Sequence, residues 1–259
     1  MNFFKRFRIR YILHQHAIPH ALWQQTTEKL SVLQRLSAVE TAHLRELATL
    51  FVREKNIVGA HEFLVTDIMR VNIASQACLP ILHLGLNCLS GWTDVIVYPG
   101  AFRVRRDSVD SAGVIHQQER ILSGECWSRG PVILSWADVE QDMQESHSGR
   151  NVVIHEIAHK LDALNGSNNG YPPLHYEMRV PEWTAALTTA YEGLIERLQH
   201  HQYSYINSYA ATSPAEFFAV VSEYFFSLPE VLQAHYPDVY RQLKLYYRQD
   251  PLERQRSIS

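Results

Sequence analysis

The sequence predicts an α+β fold, mostly helical, with a small sheet packed beside one helix that carries the run His155-Glu156-Ile157-Ala158-His159. Three observations lead there. Apolar residues recur at helical spacing through residues 20–56 and again after Pro181, Pro214, Pro229 and Pro237. Two short β-branched runs, Thr93–Tyr98 and Val132–Trp136, read as strands. The H-E-x-x-H run lies among Val152, Val153, Ile154, Ile157, Ala158 and Leu161, as a buried helix would.

Taken in order, the elements follow from local chemistry. Residues 20–56 read as helices, and Ser37-Ala38-Val39-Glu40 is a capping-box pattern that opens one of them. Leu44, Leu47, Leu50 and Phe51 continue its apolar face. Asp67 is the expected cap of the next helix, which runs towards Leu79 and stops near Pro80. Thr93–Tyr98 ends at the turn Pro99-Gly100; Val104, Val109 and Val114-Ile115 then fall in a polar, loop-rich stretch. The H-E-x-x-H helix ends near Asn165-Gly166, with loop to Pro173. Residues 182–200 form a helix, Ser213-Pro214-Ala215-Glu216 starts another with Pro at its first position, and short helices follow Pro229 and Pro237. Residues 1–259 are read as one domain, with an N-terminal helical portion, 1–60, and a core, 61–259, divided on Gly59.

Composition excludes several classes. The chain is 46% hydrophobic and 20% charged with net charge −3, which argues against electrostatic binding of nucleic acid. Lys5, Arg6, Arg8 and Arg10 interrupt the N-terminus, so it does not read as a signal peptide. A solvated, frayed end is expected there; contact of these residues and Phe3, Phe4 and Phe7 with a membrane surface or partner is the alternative. The most apolar run, Ala77–Leu89, is broken by Pro80, His83 and Asn87 and is shorter than the ~20 residues a bilayer span needs. Cys78, Cys88 and Cys126 are odd in number and form no C-x-x-C, which suits a reducing cytoplasm.

The chemistry centres on the H-E-x-x-H run. Residues four apart share a helix face, so His155 and His159 can grip one metal ion, most often zinc. Glu156, beside them, suits a general base towards a metal-activated water. A catalytic zinc usually takes a third protein ligand. Asp162 lies seven residues after His155, about 10 Å along the same helix, too far for one ion; it supports the site or caps and pairs locally. Glu216 is the better candidate, although Ser213-x-x-Glu216 also fits a capping box that merely closes the helix end. Glu223, two turns later, can hydrogen-bond a ligand histidine or be the ligand itself.

A wider set of segments resembles one family. These are Thr66–Val71, Val97–Phe102, Gly130–Trp136, the eight residues from His155 to Asp162, and Tyr209-Ala210-Ala211 through Glu216 to Val220. Together they resemble the MtfA (Mlc titration factor A) family of bacterial zinc peptidases, related at the active site to the catalytic domain of anthrax lethal factor. The resemblance implies a zincin-like core of the gluzincin type, with one Zn2+ held by His155, His159 and Glu216, and Glu156 as base. It raises Tyr209 from a packing residue to a catalytic candidate, a hydroxyl that donates to the oxyanion of the tetrahedral intermediate. It also suggests His116, in Val114-Ile115-His116-Gln117, as a further ligand that closes the metal's open position; the other reading of His116 is an exposed loop histidine.

Aminopeptidase activity on short peptides is likewise implied by the resemblance alone. The chain has no G-x-M-x-N signature and no obvious carboxylate for a free amino terminus. The implied macromolecular partner is Mlc, the repressor of glucose phosphotransferase genes. The rival class is therefore a regulatory protein that sequesters the repressor and retains a zinc site without proteolysis.

Overall fold

A computed structural model describes residues 3–34, 36–100, 102–109, 115–122, 124–126, 130–145 and 148–256, with backbone alone for 3, 5, 102–109, 115–122, 124–126, 255 and 256. The chain opens with helices α1 (Phe3–Gln15), α2 (His20–Thr27) and α3 (Ala38–Glu54). The N-terminus is thus helical rather than frayed: Ile9, Ile12 and Leu13 are half-buried, α1 packs on α3, and Arg8 pairs with Glu54. Helix α3 starts as its sequence requires. Ser37 Oγ accepts from the Glu40 amide at 3.2 Å while Glu40 Oε2 accepts from the Ser37 amide at 3.0 Å.

Strand β1 (Asn56–Gly59) follows, then α4 (Asp67–Cys78). Thr66, not Asp67, caps α4: its hydroxyl accepts from Met69 N at 3.3 Å. Asp67 instead enters the first turn, where a negative charge suits the helix dipole. Strand β2 (Asp94–Tyr98) leads to β3 (Phe102–Val109), β4 (Ile115–Leu122), β5 (Gly124–Cys126) and β6 (Val132–Ser135). The stretch expected to be loop-rich contains an antiparallel β3–β4 hairpin, Phe102 facing Leu122 and Val109 facing Ile115. Charged residues interrupt its apolar alternation, which hid the strands from a periodicity argument.

The principal sheet has the order β1-β2-β6-β5. The first three strands are parallel, and β5 runs antiparallel along β6. Ile57, Val95, Val97, Val132 and Leu134 are buried, so alternate positions face the core. Trp136 does not extend β6. Ser135 Oγ accepts from Asp138 N at 3.3 Å and opens α5 (Trp136–Gln144).

Then come α6 (Val152–Asp162), α7 (Val180–Gln199), α8 (Pro214–Ser227), α9 (Pro229–His235), α10 (Pro237–Tyr247) and α11 (Pro251–Arg256). Helices dominate and the sheet is small, so the fold is the mostly helical α+β class that the sequence predicts. Helix α6 packs against α8, α4, β5 and β6, a central position. Ile154, Ile157 and Leu161 of α6 join one hydrophobic core with Leu44 and Phe51 of α3 and Phe218 and Val221 of α8. Among the described residues, no helix is long and apolar enough to cross a membrane.

Candidate metal centre

Helix α6 is fixed at its start by Asn151. The Asn151 Oδ1 accepts from Ile154 N at 2.9 Å, and Nδ2 donates to Gln76 Oε1 of α4 at 2.6 Å. The Asn151 amide donates to Glu223 Oε2 of α8 at 2.6 Å. One residue therefore caps α6 and ties it to both neighbouring helices. Sequence reasoning gave Asn151 no role, although an Asn directly before a buried apolar helix is a cap signal.

One turn into α6, His155 and His159 bring their Nε2 atoms to 3.1 Å from each other. Helix α8 starts at Ser213, whose Oγ accepts from Glu216 N at 3.2 Å. The reciprocal half of a capping box is not formed. The Glu216 carboxylate turns to the imidazoles instead, with Oε2 3.1 Å from His155 Nε2 and 3.3 Å from His159 Nε2. Among the described residues, His155, His159 and Glu216 form the one group of side chains arranged to hold a metal ion.

The residues fit such an ion. A tetrahedral zinc with bonds of roughly 2.0–2.1 Å sets its ligands about 3.3 Å apart, and the three donor atoms lie 3.1, 3.1 and 3.3 Å apart. Glu223 Oε1 lies 2.7 Å from His155 Nδ1. A carboxylate there accepts the Nδ1 proton and leaves the Nε2 lone pair facing the other donors, as metal-binding histidines require. Glu223 thus takes the supporting place of the two open to it, behind the histidine rather than in the donor triangle.

Charge at the site follows from burial and neighbours. Burial alone would raise the Glu216 pKa, but the hydrogen bonds and charges of His155 and His159 hold it well below the usual carboxylate range. Burial opposes an imidazolium at His155, yet Glu223 and Glu216 outweigh it and push the pKa well up. The carboxylates therefore call for positive charge, which a proton or a divalent cation can supply. Burial raises Glu156 to about 8, with His155 pulling the other way. Its Oε2 is buried and has no hydrogen-bond partner among the described residues.

Tyr209 sits in a 3₁₀ turn, Ser208–Ala211, held by Asn207 Oδ1 accepting from the Tyr209 amide at 2.9 Å. Its ring centre lies 6.2 Å from that of His155, and it is 41% exposed, at the edge of the site. His116 is on β4 opposite Ser108; its side chain lies outside the described residues. Asp162 is fully buried and stands outside the donor group. Its Oδ2 accepts from Gly170 N at 2.8 Å. Gly170 has φ +75° and touches the start of α8 so closely that a Cβ would lie 2.4 Å from Pro214 O. Asp162 thereby links the end of α6 to the turn beside Glu216. The run Ser167-Asn168-Asn169-Gly170 signalled a turn but not this contact.

Residues 4–248 match the family model described as glucose-regulated metallo-peptidase M90. The chain belongs to that family. The relatives of this chain include proteins named Mlc titration factor A. That of Klebsiella pneumoniae is 37% identical over 236 residues, covering 90% of this chain and 88% of the relative. That of Pectobacterium atrosepticum is 38% identical over 237 residues, covering 91% and 88%. An Escherichia coli relative is 36% identical over 243 residues, covering 93% and 89%. The family resemblance drawn from the sequence is borne out. In a metallo-peptidase, the His155–His159–Glu216 group is where a metal can sit.

Proposed function

We propose that this metallo-peptidase is a zinc-dependent aminopeptidase acting on short peptides in the cytoplasm, its 259 residues forming one domain. The observation that carries the reading is the donor triangle of His155, His159 and Glu216, with a buried Glu156 carboxylate oxygen on the same helix that has no hydrogen-bond partner among the described residues. His155 and His159 would hold the ion through Nε2 and Glu216 through Oε2, with His116 as a further ligand. The ion, when bound, would supply Lewis acidity that polarises the scissile carbonyl and acidifies water.

The chain's own groups supply the proton transfers. Glu156 takes a proton from the attacking water at its free carboxylate oxygen and passes it to the leaving amine nitrogen. With a cation on the neighbouring donors, the pKa that burial raises would fall, leaving the carboxylate ionised to take that proton. The Tyr209 hydroxyl donates to the carbonyl oxygen as negative charge develops on it. Glu223 keeps His155 in one tautomer throughout.

The names of the relatives support a second activity, binding of the repressor Mlc. The two activities separate in one experiment: metal content, hydrolysis of an alanine-based chromogenic peptide and Mlc binding for wild type, Glu156→Gln and His116→Ala. The expected result is about one zinc per chain, hydrolysis lost in Glu156→Gln with Mlc binding kept, and hydrolysis raised in His116→Ala. Zinc without hydrolysis in any variant, with Mlc present or absent, would instead identify a repressor-binding protein that retains a metal site.

A further inference from the structure

Helix α1 has two apolar sides, one turned towards α3 and the other largely exposed. Ile9, Ile12 and Leu13 are half-buried on the side towards α3. Phe4, Phe7 and Tyr11 follow the i, i+3, i+7 spacing of a single stripe and are 78%, 66% and 55% exposed. Exposing three aromatic rings in a row on one turn-by-turn line is costly in water and needs a physical reason.

Charge supplies it. The first 27 residues hold Lys5, Arg6, Arg8 and Arg10 and no acidic side chain, in a chain of net charge −3. Arg8 is taken by Glu54. Arg6 and Arg10 are exposed and share a helix side, and Arg10 follows Phe7 by three residues, so this basic line borders the aromatic stripe on one side. We infer that α1 is a peripheral docking helix for an anionic lipid surface, its aromatic stripe entering the interface and its arginines meeting lipid phosphates.

The shape and area of the stripe favour lipid over a protein. It is a convex ridge, not a groove. Three aromatic side chains offer roughly 500 Å², short of the about 800 Å² per partner that a stable protein interface buries. Aromatic rings beside arginine on a short helix are what an interfacial helix uses to lie at the headgroup level. Among the described residues no helix is long and apolar enough to cross the bilayer, and the inference is independent of the peptidase reading.

The test is co-sedimentation of the full chain with vesicles of equal phosphatidylglycerol and phosphatidylcholine, against phosphatidylcholine alone. Wild type should bind the anionic vesicles, less so as salt is raised, and leave the neutral ones. The double variant Arg6→Gln/Arg10→Gln should weaken binding roughly twenty-five-fold, about fivefold for each charge. The triple variant Phe4→Ser/Phe7→Ser/Tyr11→Ser should lose it while keeping the wild-type melting transition, since these side chains are exposed. Failure to bind anionic vesicles, equal binding to neutral ones, or indifference to both variants would overturn the inference. So would sedimentation velocity showing a dimer that the aromatic variant dissolves without any vesicle binding, because the stripe would then belong to a second copy of the chain.

Discussion

Replacing Glu223 by Gln tests whether the carboxylate behind His155 organises the metal centre. The carboxylate accepts two hydrogen bonds, from His155 Nδ1 at 2.7 Å and from Asn151 N at 2.6 Å. Its side chain is 8% exposed, so water cannot take over either bond. Gln has nearly the same shape but one acceptor oxygen. Whichever way the amide turns, its NH2 faces either the imidazole N–H or the Asn151 amide, donor against donor. Losing one bond to a charged acceptor and leaving a buried donor unpaired costs about 2–3 kcal/mol. In a chain of this size that lowers the melting temperature by roughly 4–10 °C. If the amide instead leaves His155 without its acceptor, zinc affinity should fall about 10–100-fold. Thermal melts and competition for zinc with a chelating dye measure the two effects on the same protein. A melting temperature within about 1 °C and a zinc affinity within about twofold of wild type would refute the reasoning. Lower stability with unchanged zinc affinity would make Glu223 a structural tie between α6 and α8 and nothing more.

Three further outcomes are expected. Gly170→Ala places a side chain in the left-handed region, with its Cβ 2.4 Å from Pro214 O; urea unfolding should show a loss of about 2–3 kcal/mol, and displacement of the α8 start should weaken zinc binding as well. Tyr209→Phe should lower kcat roughly 100-fold with little change in KM, the cost of one oxyanion donor, whereas equal activity would leave Tyr209 a packing residue. At Glu40, burial opposes the charge, but Ser37 and Arg254 hold the pKa at about 2, below the ordinary 4.5. A lowered pKa in the folded state stabilises above pH 4.5 and loses that stabilisation as pH falls towards 2. Glu40→Gln should therefore cost about 1–2 kcal/mol near neutrality, the full linkage value being reduced by solvent screening of a partly exposed pair, and flatten the acid limb of the stability curve over that window.

Where the chain pattern and the local chemistry coincide, the sequence was sufficient. The capping box at Ser37 and Glu40 forms as spaced, and the apolar setting of H-E-x-x-H places His155 and His159 on a buried helix. Ambiguity arose where one pattern served two chemistries. Ser213-x-x-Glu216 reads equally as a capping box and as a cap followed by a donor, because spacing does not say where a carboxylate turns. That depends on the two imidazoles approaching from a helix 61 and 57 residues away. Strand β1 was missed for a related reason. Four residues carry too little periodicity, and its identity rests on pairing with β2, Ile57 opposite Val95. The helical N-terminus was hidden because arginines interrupt its apolar face, and only α3 reveals which side is inner.

The spacing that most constrains function is the seven-residue step from Glu216 to Glu223. Two turns apart, they share one face of α8. They reach opposite nitrogens of the same imidazole, Glu216 at Nε2 and Glu223 at Nδ1 of His155. A histidine gripped this way has no freedom to choose its tautomer: the proton goes to Glu223, and the Nε2 lone pair is left for a cation shared with Glu216. The same two contacts set the register of α8 against α6, since sliding either helix by one residue would move both carboxylates off the ring. At the proposed metal site, affinity for the ion and helix packing would therefore be coupled at His155. Substitutions that shift α8 without touching a donor, Gly170→Ala among them, should weaken zinc binding in proportion to the shift, while exposed substitutions on α7 or α10 should leave it unchanged.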